Sequence, residues 1–206
     1  MISIVDYGMG NLGSVAKAIE RVGGAARIIR GPEEVLAAEK LILPGVGAFG
    51  DAMANLRRQQ LVEPLRQYAQ ADRPFLGICL GLQLLFRVGY EDGRHDGLDI
   101  LAGEVRRFDF AGLPQAAELA VPHMGWNALE WQRPCPLLEG LSGGCFVYFV
   151  HSYHVVPEDP AVAATWTTYG YPFVSSIRRG RVMATQFHPE KSQAVGLKML
   201  ENFVRL

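Results

Sequence analysis

Over the first hundred positions, short apolar runs alternate with segments of helical period. Residues 2 to 6 read as an apolar strand, Asn11 to Val22 as a helix and Ala26 to Ile29 as a second strand, with Gly23-Gly24 stopping the helix. Lys40-Leu41-Ile42-Leu43 reads as a third strand, followed by helical segments with a break near Pro64. Behind Pro74 a further apolar run predicts a buried strand, and Leu82 to Phe86 an apolar helix, with Cys79 on the turn between them. Gly89 to Gly97 is polar and glycine-rich, predicting a loop with a solvated His95. From Leu98 the texture changes to short strands and turns: Leu101 to Phe108, Ala128 to Trp131, Phe146 to Val156, Ala161 to Tyr169, and a hairpin from Phe173 to Phe187 turning at Arg178-Arg179-Gly180-Arg181. Ala194 to Leu206 closes the chain as a helix, with Val195, Met199, Leu200 and Phe203 on one face. The pattern implies one α/β domain over residues 1–206, with helices around a sheet and an added strand region in the C-terminal half.

Bulk composition narrows this little. A chain of 206 residues, 49% hydrophobic, holds a substantial core. Its formal net charge of -1 and the lack of any basic run remove the electrostatic case for nucleic acid. Met1-Ile2-Ser3-Ile4-Val5-Asp6 carries no basic leader and no apolar stretch reaches bilayer length, so a soluble, cytoplasmic protein is expected. The three cysteines, Cys79, Cys135 and Cys145, lack CxxC spacing, which argues against a disulfide framework and fits a reducing compartment.

Candidate chemistry concentrates at Cys79. Gly77 and Gly81 stand two residues to either side, the spacing of a nucleophile elbow, in which strand and helix approach closely and push the nucleophile outward. The first-turn N–H groups of the following helix favour thiolate there. A nucleophilic thiol needs a base, and His188 in Thr185-Gln186-Phe187-His188-Pro189-Glu190-Lys191-Ser192 is the leading candidate: on extended backbone Glu190, two residues on, shares its face and can orient the imidazole. Glycines 45, 47 and 50 leave backbone N–H groups uncovered after the third strand, as an oxyanion hole requires, although an ordinary strand-to-helix turn has the same composition. Two other readings arise. Gly8-Met9-Gly10-Asn11-Leu12-Gly13 matches G-x-G-x-x-G between strand and helix, but no acidic residue stands at the ribose-binding position; a tight turn presenting Asn11 at the sheet edge is the alternative. His151-Ser152-Tyr153-His154 suggests a metal site, yet i and i+3 on a strand face opposite sides. No metal and no cofactor is expected.

The elbow Gly-Ile-Cys-Leu-Gly-Leu-Gln and the segment Gln-Phe-His-Pro-Glu-Lys-Ser resemble those of the class I (triad) glutamine amidotransferases. Within that family, Asp6 to Leu12, the Pro44-to-Phe49 loop, His123 to Asn127 and Tyr148 to Tyr153 are similar to the glutaminase subunits (HisH) of imidazole glycerol phosphate synthase. The resemblance runs from residue 4 to about residue 193, with Leu82 standing where the family often has methionine, a volume-conserving change. It implies a flavodoxin-like fold with a central, mostly parallel sheet and an antiparallel region in the C-terminal half. It further implies that Cys79 attacks the glutamine amide, that His188 relays the proton and that Glu190 orients His188. The oxyanion would be held by backbone N–H groups of Leu80 and of the Val46-Gly47 turn, and the glutamine backbone ends by Gly47, Gln83, Ser152 and Tyr153. Asn11, Trp126, Tyr148 and Lys191 would face a partner, the cyclase subunit HisF, a (β/α)8 barrel that receives the ammonia in a heterodimer.

Overall fold

The opening apolar runs become strands, buried on both faces except at the edge strand, where Arg27 and Ile28 are exposed. In the computed structural model, which describes residues 1–206, β1 (Ile2–Val5), β2 (Ala26–Ile29), β3 (Lys40–Gly45) and β4 (Phe75–Cys79) lie parallel in the order β2-β1-β3-β4. Alternate residues feed two cores. Ile2, Ile4, Ile42, Leu76 and Ile78 meet one layer, made by α1 (Leu12–Arg21) and α6 (Gln193–Arg205). Val5, Leu41, Leu43 and Phe75 meet the other, formed by α2 (Pro32–Ala37), α3 (Phe49–Arg58), α4 (Val62–Gln70) and α5 (Leu80–Leu84).

Beyond β4 the same sheet continues with strands from the rest of the chain. These are β5 (Phe86–Gly89), β6 (His95–Asp96), β7 (Leu101–Arg107), β10 (Tyr153–Pro157), β11 (Ala163–Tyr169), β12 (Tyr171–Arg179) and β13 (Val182–Thr185). The order runs on as β4-β13-β12-β10-β7-β5-β6, with β11 paired to β12. β13 is parallel to β4, while β12 and β10 run antiparallel to their neighbours, so the fold is a mixed sheet with a parallel block flanked by helices. β8 (His123–Ala128) and β9 (Phe146–His151) form a separate two-stranded antiparallel ribbon. No helix is long and apolar enough to cross a membrane.

Several local expectations are corrected. The helical break falls at Gln59 to Leu61, with Gln60 at φ 58°, and Pro64 sits inside α4's first turn, where its missing N–H would have no helical partner anyway. The helix after the cysteine spans Leu80–Leu84 rather than Leu82 to Phe86, because the returning chain takes its last carbonyls: Leu98 N–H donates to Leu84 O at 2.8 Å and Ile100 N–H to Leu85 O at 2.9 Å. His95 is half-buried on the short strand β6, with its ring over the space left by Gly50. The strand expected over Ala128 to Trp131 is displaced upstream to β8, leaving Glu130 in an isolated bridge with Trp166. The run Phe146 to Val156 is two strands, β9 in the ribbon and β10 in the main sheet, divided at Ser152.

Candidate active site

At the end of β4 the chain turns straight into α5, and Cys79 at the switch has φ 55° and ψ -109°, a strained conformation for a residue with a side chain. The flanking glycines make the turn possible. A Cβ on Gly77 would sit 2.8 Å from Gly81 O and 2.9 Å from the Ala184 methyl, and one on Gly81 would overlap the Leu43 carbonyl oxygen. Because α5 has five residues, it contributes its first-turn N–H groups, among them that of Leu80, rather than a long macrodipole.

β13 delivers His188. It pairs with β4 in parallel, Thr185 opposite Ile78, so the chain leaving Thr185 emerges at the edge where Cys79 stands. His188 N–H donates to Tyr148 O at 3.1 Å, and the Ser192 hydroxyl donates to His188 O at 2.7 Å while accepting from Tyr148 N–H at 3.0 Å. These bonds clamp the segment to the ribbon. Nδ1–H of His188 donates to Glu190 Oε1 at 2.8 Å, both side chains being almost fully buried. The means differs from the extended i, i+2 relation expected: His188 is extended, but Pro189–Lys191 forms a 3-10 turn that folds the carboxylate back. His188 Nε2 has no hydrogen bond in this structure, and Glu190 Oε2 is also unpartnered. Burial pulls the His188 pKa down, but the hydrogen bond and charge of Glu190 and the charge of nearby Cys79 outweigh it and push it up to about 9.

Cys79 and His188 open onto a cavity of about 510 Å³ that Val46, Gly47, Leu80, Gln83, Ser152, Tyr153 and Lys191 also line. Glu190 lies behind His188, outside that lining. Gly47 has φ 97°, and the N–H groups of Val46, Gly47 and Ala48 make no hydrogen bond within the chain. Sequence reasoning missed three residues here. Gln186 places its Nε2 3.8 Å from Cys79 Sγ, and its Oε1 accepts from Gln83 Nε2 at 3.1 Å. Its position two residues before His188 was the available signal, although the chain bends at Gln186 and Phe187 after β13 ends. Glu91, from the segment expected to be only loop, lines the cavity and accepts from Phe49 N–H at 2.7 Å through Oε2. Pro122, after a cis Val121–Pro122 bond, forms part of the wall.

The remaining residues named from the sequence lie on the ribbon, at the start of α1 and in the turn after His188, and of these Lys191 lines the cavity. Trp126 and Tyr148 are cross-strand partners in the ribbon with ring centroids 6.1 Å apart, and Lys191 Nζ stands 6.0 Å from the Tyr148 ring. Strand alternation puts Met124, Trp126, Tyr148 and Phe146 on one face, exposing Met124 by 66% and Phe146 by 55%. Asn11 is exposed and caps α1, its Oδ1 accepting from Ser14 N–H at 3.2 Å. That role fits the tight turn better than a dinucleotide fingerprint: Gly13 faces open space instead of packing helix on sheet, and Arg30 at the end of β2 is paired to Asp6.

His151 is not free for a metal. Its Nδ1–H donates to Tyr153 O at 2.8 Å, so its Nε2 accepts from His123 Nδ1–H at 3.0 Å, and His123 Nε2 in turn accepts from the Asn127 amide at 3.2 Å. His154 bonds the Tyr171 hydroxyl at 3.2 Å and packs on Phe108. Burial, the dominant cause, lowers the pKa from 6.5 to about 3 for His151 and to about 4 for His123. The unfolded chain therefore binds these protons first, and between pH 6.5 and 4 stability falls as pH falls, by up to ~1.4 kcal/mol per pH unit for each histidine. Urea unfolding at pH 7 and pH 5 should show His151→Phe losing less stability over that interval than the parent. An equal loss would mean that His151 does not titrate on unfolding.

Comparison with known proteins bears on the family and the fold. The family model for class I glutamine amidotransferases matches residues 3–206. The imidazole glycerol phosphate synthase subunit HisH of Syntrophotalea carbinolica is 55% identical over 98% of this chain and 98% of its own. The protein of the same name from Aquifex aeolicus is 55% identical over 98% of this chain and 95% of its own. Among solved structures, a glutamine amidotransferase superposes with TM-score 0.74 at 20% identity over 100% of both chains, and PurLQS of Thermotoga maritima with TM-score 0.75 at 17% identity over 99% and 97%. At those identities the structures speak for the fold alone. The sequence relatives go further: the chain belongs to the class I glutamine amidotransferase family and, within it, groups with the HisH subunits.

Proposed function

We propose that this chain hydrolyses glutamine through Cys79, His188 and Glu190 and passes the ammonia to a cyclase subunit, which makes imidazole glycerol phosphate and AICAR in histidine biosynthesis. The observation that carries the reading is the convergence on one cavity of a strained, buried thiol and a carboxylate-bound imidazole from distant parts of the chain. Cys79 Sγ bonds to the amide carbon of glutamine, and His188 Nε2 takes the thiol proton. Beside the sulfur the imidazole's pKa is pushed up to about 9, so it readily takes the thiol proton; once the sulfur is bonded, the Glu190 carboxylate holds the imidazolium until the C–N bond breaks, when it protonates the departing nitrogen to give ammonia. Water then adds to the glutamyl thioester, its proton returns through His188 to sulfur, and glutamate leaves. Glu190 fixes the imidazole by taking its Nδ1–H and stabilises the imidazolium. The unpaired N–H groups at Val46-Gly47 and that of Leu80 are the donors for the oxyanion, and Gly47, Gln83, Ser152 and Tyr153 hold the backbone ends of glutamine.

The ribbon face explains why a partner belongs here. Met124, Trp126, Tyr148 and Phe146 form an apolar strip on the ribbon, whose Val150 lines the cavity, with Lys191 at the strip's edge against Tyr148, and Trp126 and Tyr148 are of the types that anchor interfaces; Asn11 is exposed at the start of α1. Free ammonia is mostly protonated in neutral water and then cannot attack, so a source docked on its consumer has a chemical purpose. A peptidase or free-standing hydrolase of the same fold would act alone. The test is glutamine turnover with and without purified cyclase subunit and its ligand: the isolated chain should be a poor glutaminase that the partner activates. Trp126→Ala should raise the cyclase concentration for half-activation by roughly 30-fold, the effect of an anchor worth about 2 kcal/mol. Full turnover by the lone chain, or an unchanged half-activation concentration, would count against the respective parts.

A further inference from the structure

Apart from the His188 and Glu190 atoms already described, the hydroxyl of Tyr7 is the buried side-chain polar atom left without a hydrogen bond. Tyr7 follows β1 and is fully buried. Its Oη fills the space that Gly45 leaves: a Cβ there would lie 2.5 Å from Oη and 2.9 Å from Leu80 Cβ. Gly45 is the last residue of β3 and stands opposite Cys79 in the register of β3 and β4. The hydroxyl therefore sits at the root of the Val46-Gly47 loop, on the core side, next to the elbow. Burial and then the charge of Cys79 raise its pKa, so it remains a donor.

A buried hydroxyl without a partner is unfavourable, and phenylalanine would fill the same volume without it. Another arrangement of the loop would give the hydroxyl a partner. In a trans peptide N–H and C=O point in opposite directions, so a peptide of the Gly45–Gly47 segment that directs its N–H at the oxyanion turns its carbonyl toward the core. Resting on the glutaminase reading above, we propose that Tyr7 is a positioning residue: its O–H donates to that carbonyl and holds the loop in its oxyanion-binding arrangement.

The test is Tyr7→Phe in the complex with the cyclase subunit. Expected are a melting temperature at or above that of the parent, KM for glutamine within about twofold, and kcat lowered about tenfold, the loss of one hydrogen bond made on the way to the transition state. Alkylation of Cys79 by iodoacetamide, which passes through no oxyanion, should keep its rate. An unchanged kcat would make Tyr7 plain packing and overturn the proposal. A lowered melting temperature with slowed alkylation would overturn it too, by showing that the elbow itself was disturbed. Cys79→Ala run in parallel separates the failures: if that variant still hydrolyses glutamine the glutaminase reading falls, and if it is inactive beside a fully active Tyr7→Phe only the role of Tyr7 falls.

Discussion

Cys79→Ala should lower glutamine-dependent synthesis by the complex roughly 10³-fold or more, the scale on which triads lose activity with their nucleophile. Synthesis from added ammonia should continue at the parental rate, because the partner's chemistry needs only a nitrogen source. The substitution is mild structurally. Cys79 is buried at 7% exposure, its sulfur has Gln186 Nε2 at 3.8 Å as its one hydrogen-bonding contact, and its φ of 55° is imposed by packing on either side. Assays of the two nitrogen sources on one preparation distinguish the roles: loss of both activities would mean that Cys79 serves assembly, and retention of both would remove it from the chemistry. A diazo-ketone analogue of glutamine should label the parent at Cys79 and leave the variant unlabelled.

Gly81→Ala should destabilise the chain by about 3 kcal/mol or more, a large part of the stability of an ordinary domain. The added methyl would overlap the Leu43 carbonyl, which belongs to β3, and neither backbone can retreat without moving a strand of the parallel block. Gly13→Ala is the control. Gly13 lies in the first turn of α1 with nothing within 4 Å of its new methyl, so the change should be neutral or stabilising by up to about 1 kcal/mol. Denaturant titration of both variants decides the matter. A Gly81→Ala chain as stable as the parent would show that the elbow relaxes more easily than the contact between β3 and α5 suggests.

The elements most legible in the sequence were those with one strong period and clear ends. β1, β2 and α6 fell within a residue or two of their expected limits, because short runs rich in isoleucine and valine with glycine near their ends and an i, i+3, i+4 stripe admit few alternatives. β8 was missed because His-Met-Gly-Trp-Asn-Ala is a ribbon strand with one exposed aromatic face and a glycine inside, so its apolar residues do not mark a core. The division of Phe146 to Val156 at Ser152 was invisible for the converse reason: β9 and β10 share one hydrophobic texture but belong to different sheets. Gln186 and Glu91 escaped because the contact of one with Cys79 and the place of the other in the cavity wall depend on what lies across the fold.

By itself the sequence determined the parts of the site whose geometry is local: a thiol between two glycines at a strand-to-helix switch, and a histidine with a carboxylate two residues on. Backbone connectivity fixes such relations within a few residues, so residue type and spacing suffice to express them. Only the tertiary structure decided that β13 enters the sheet beside β4 and sets His188 over Cys79, that a 3-10 turn rather than extended chain closes the contact with Glu190, and that Tyr7 reaches under Gly45. Those outcomes depend on strand order and on which side chains fill which spaces, quantities set by the free energy of the whole packed molecule and carried by no single stretch of it.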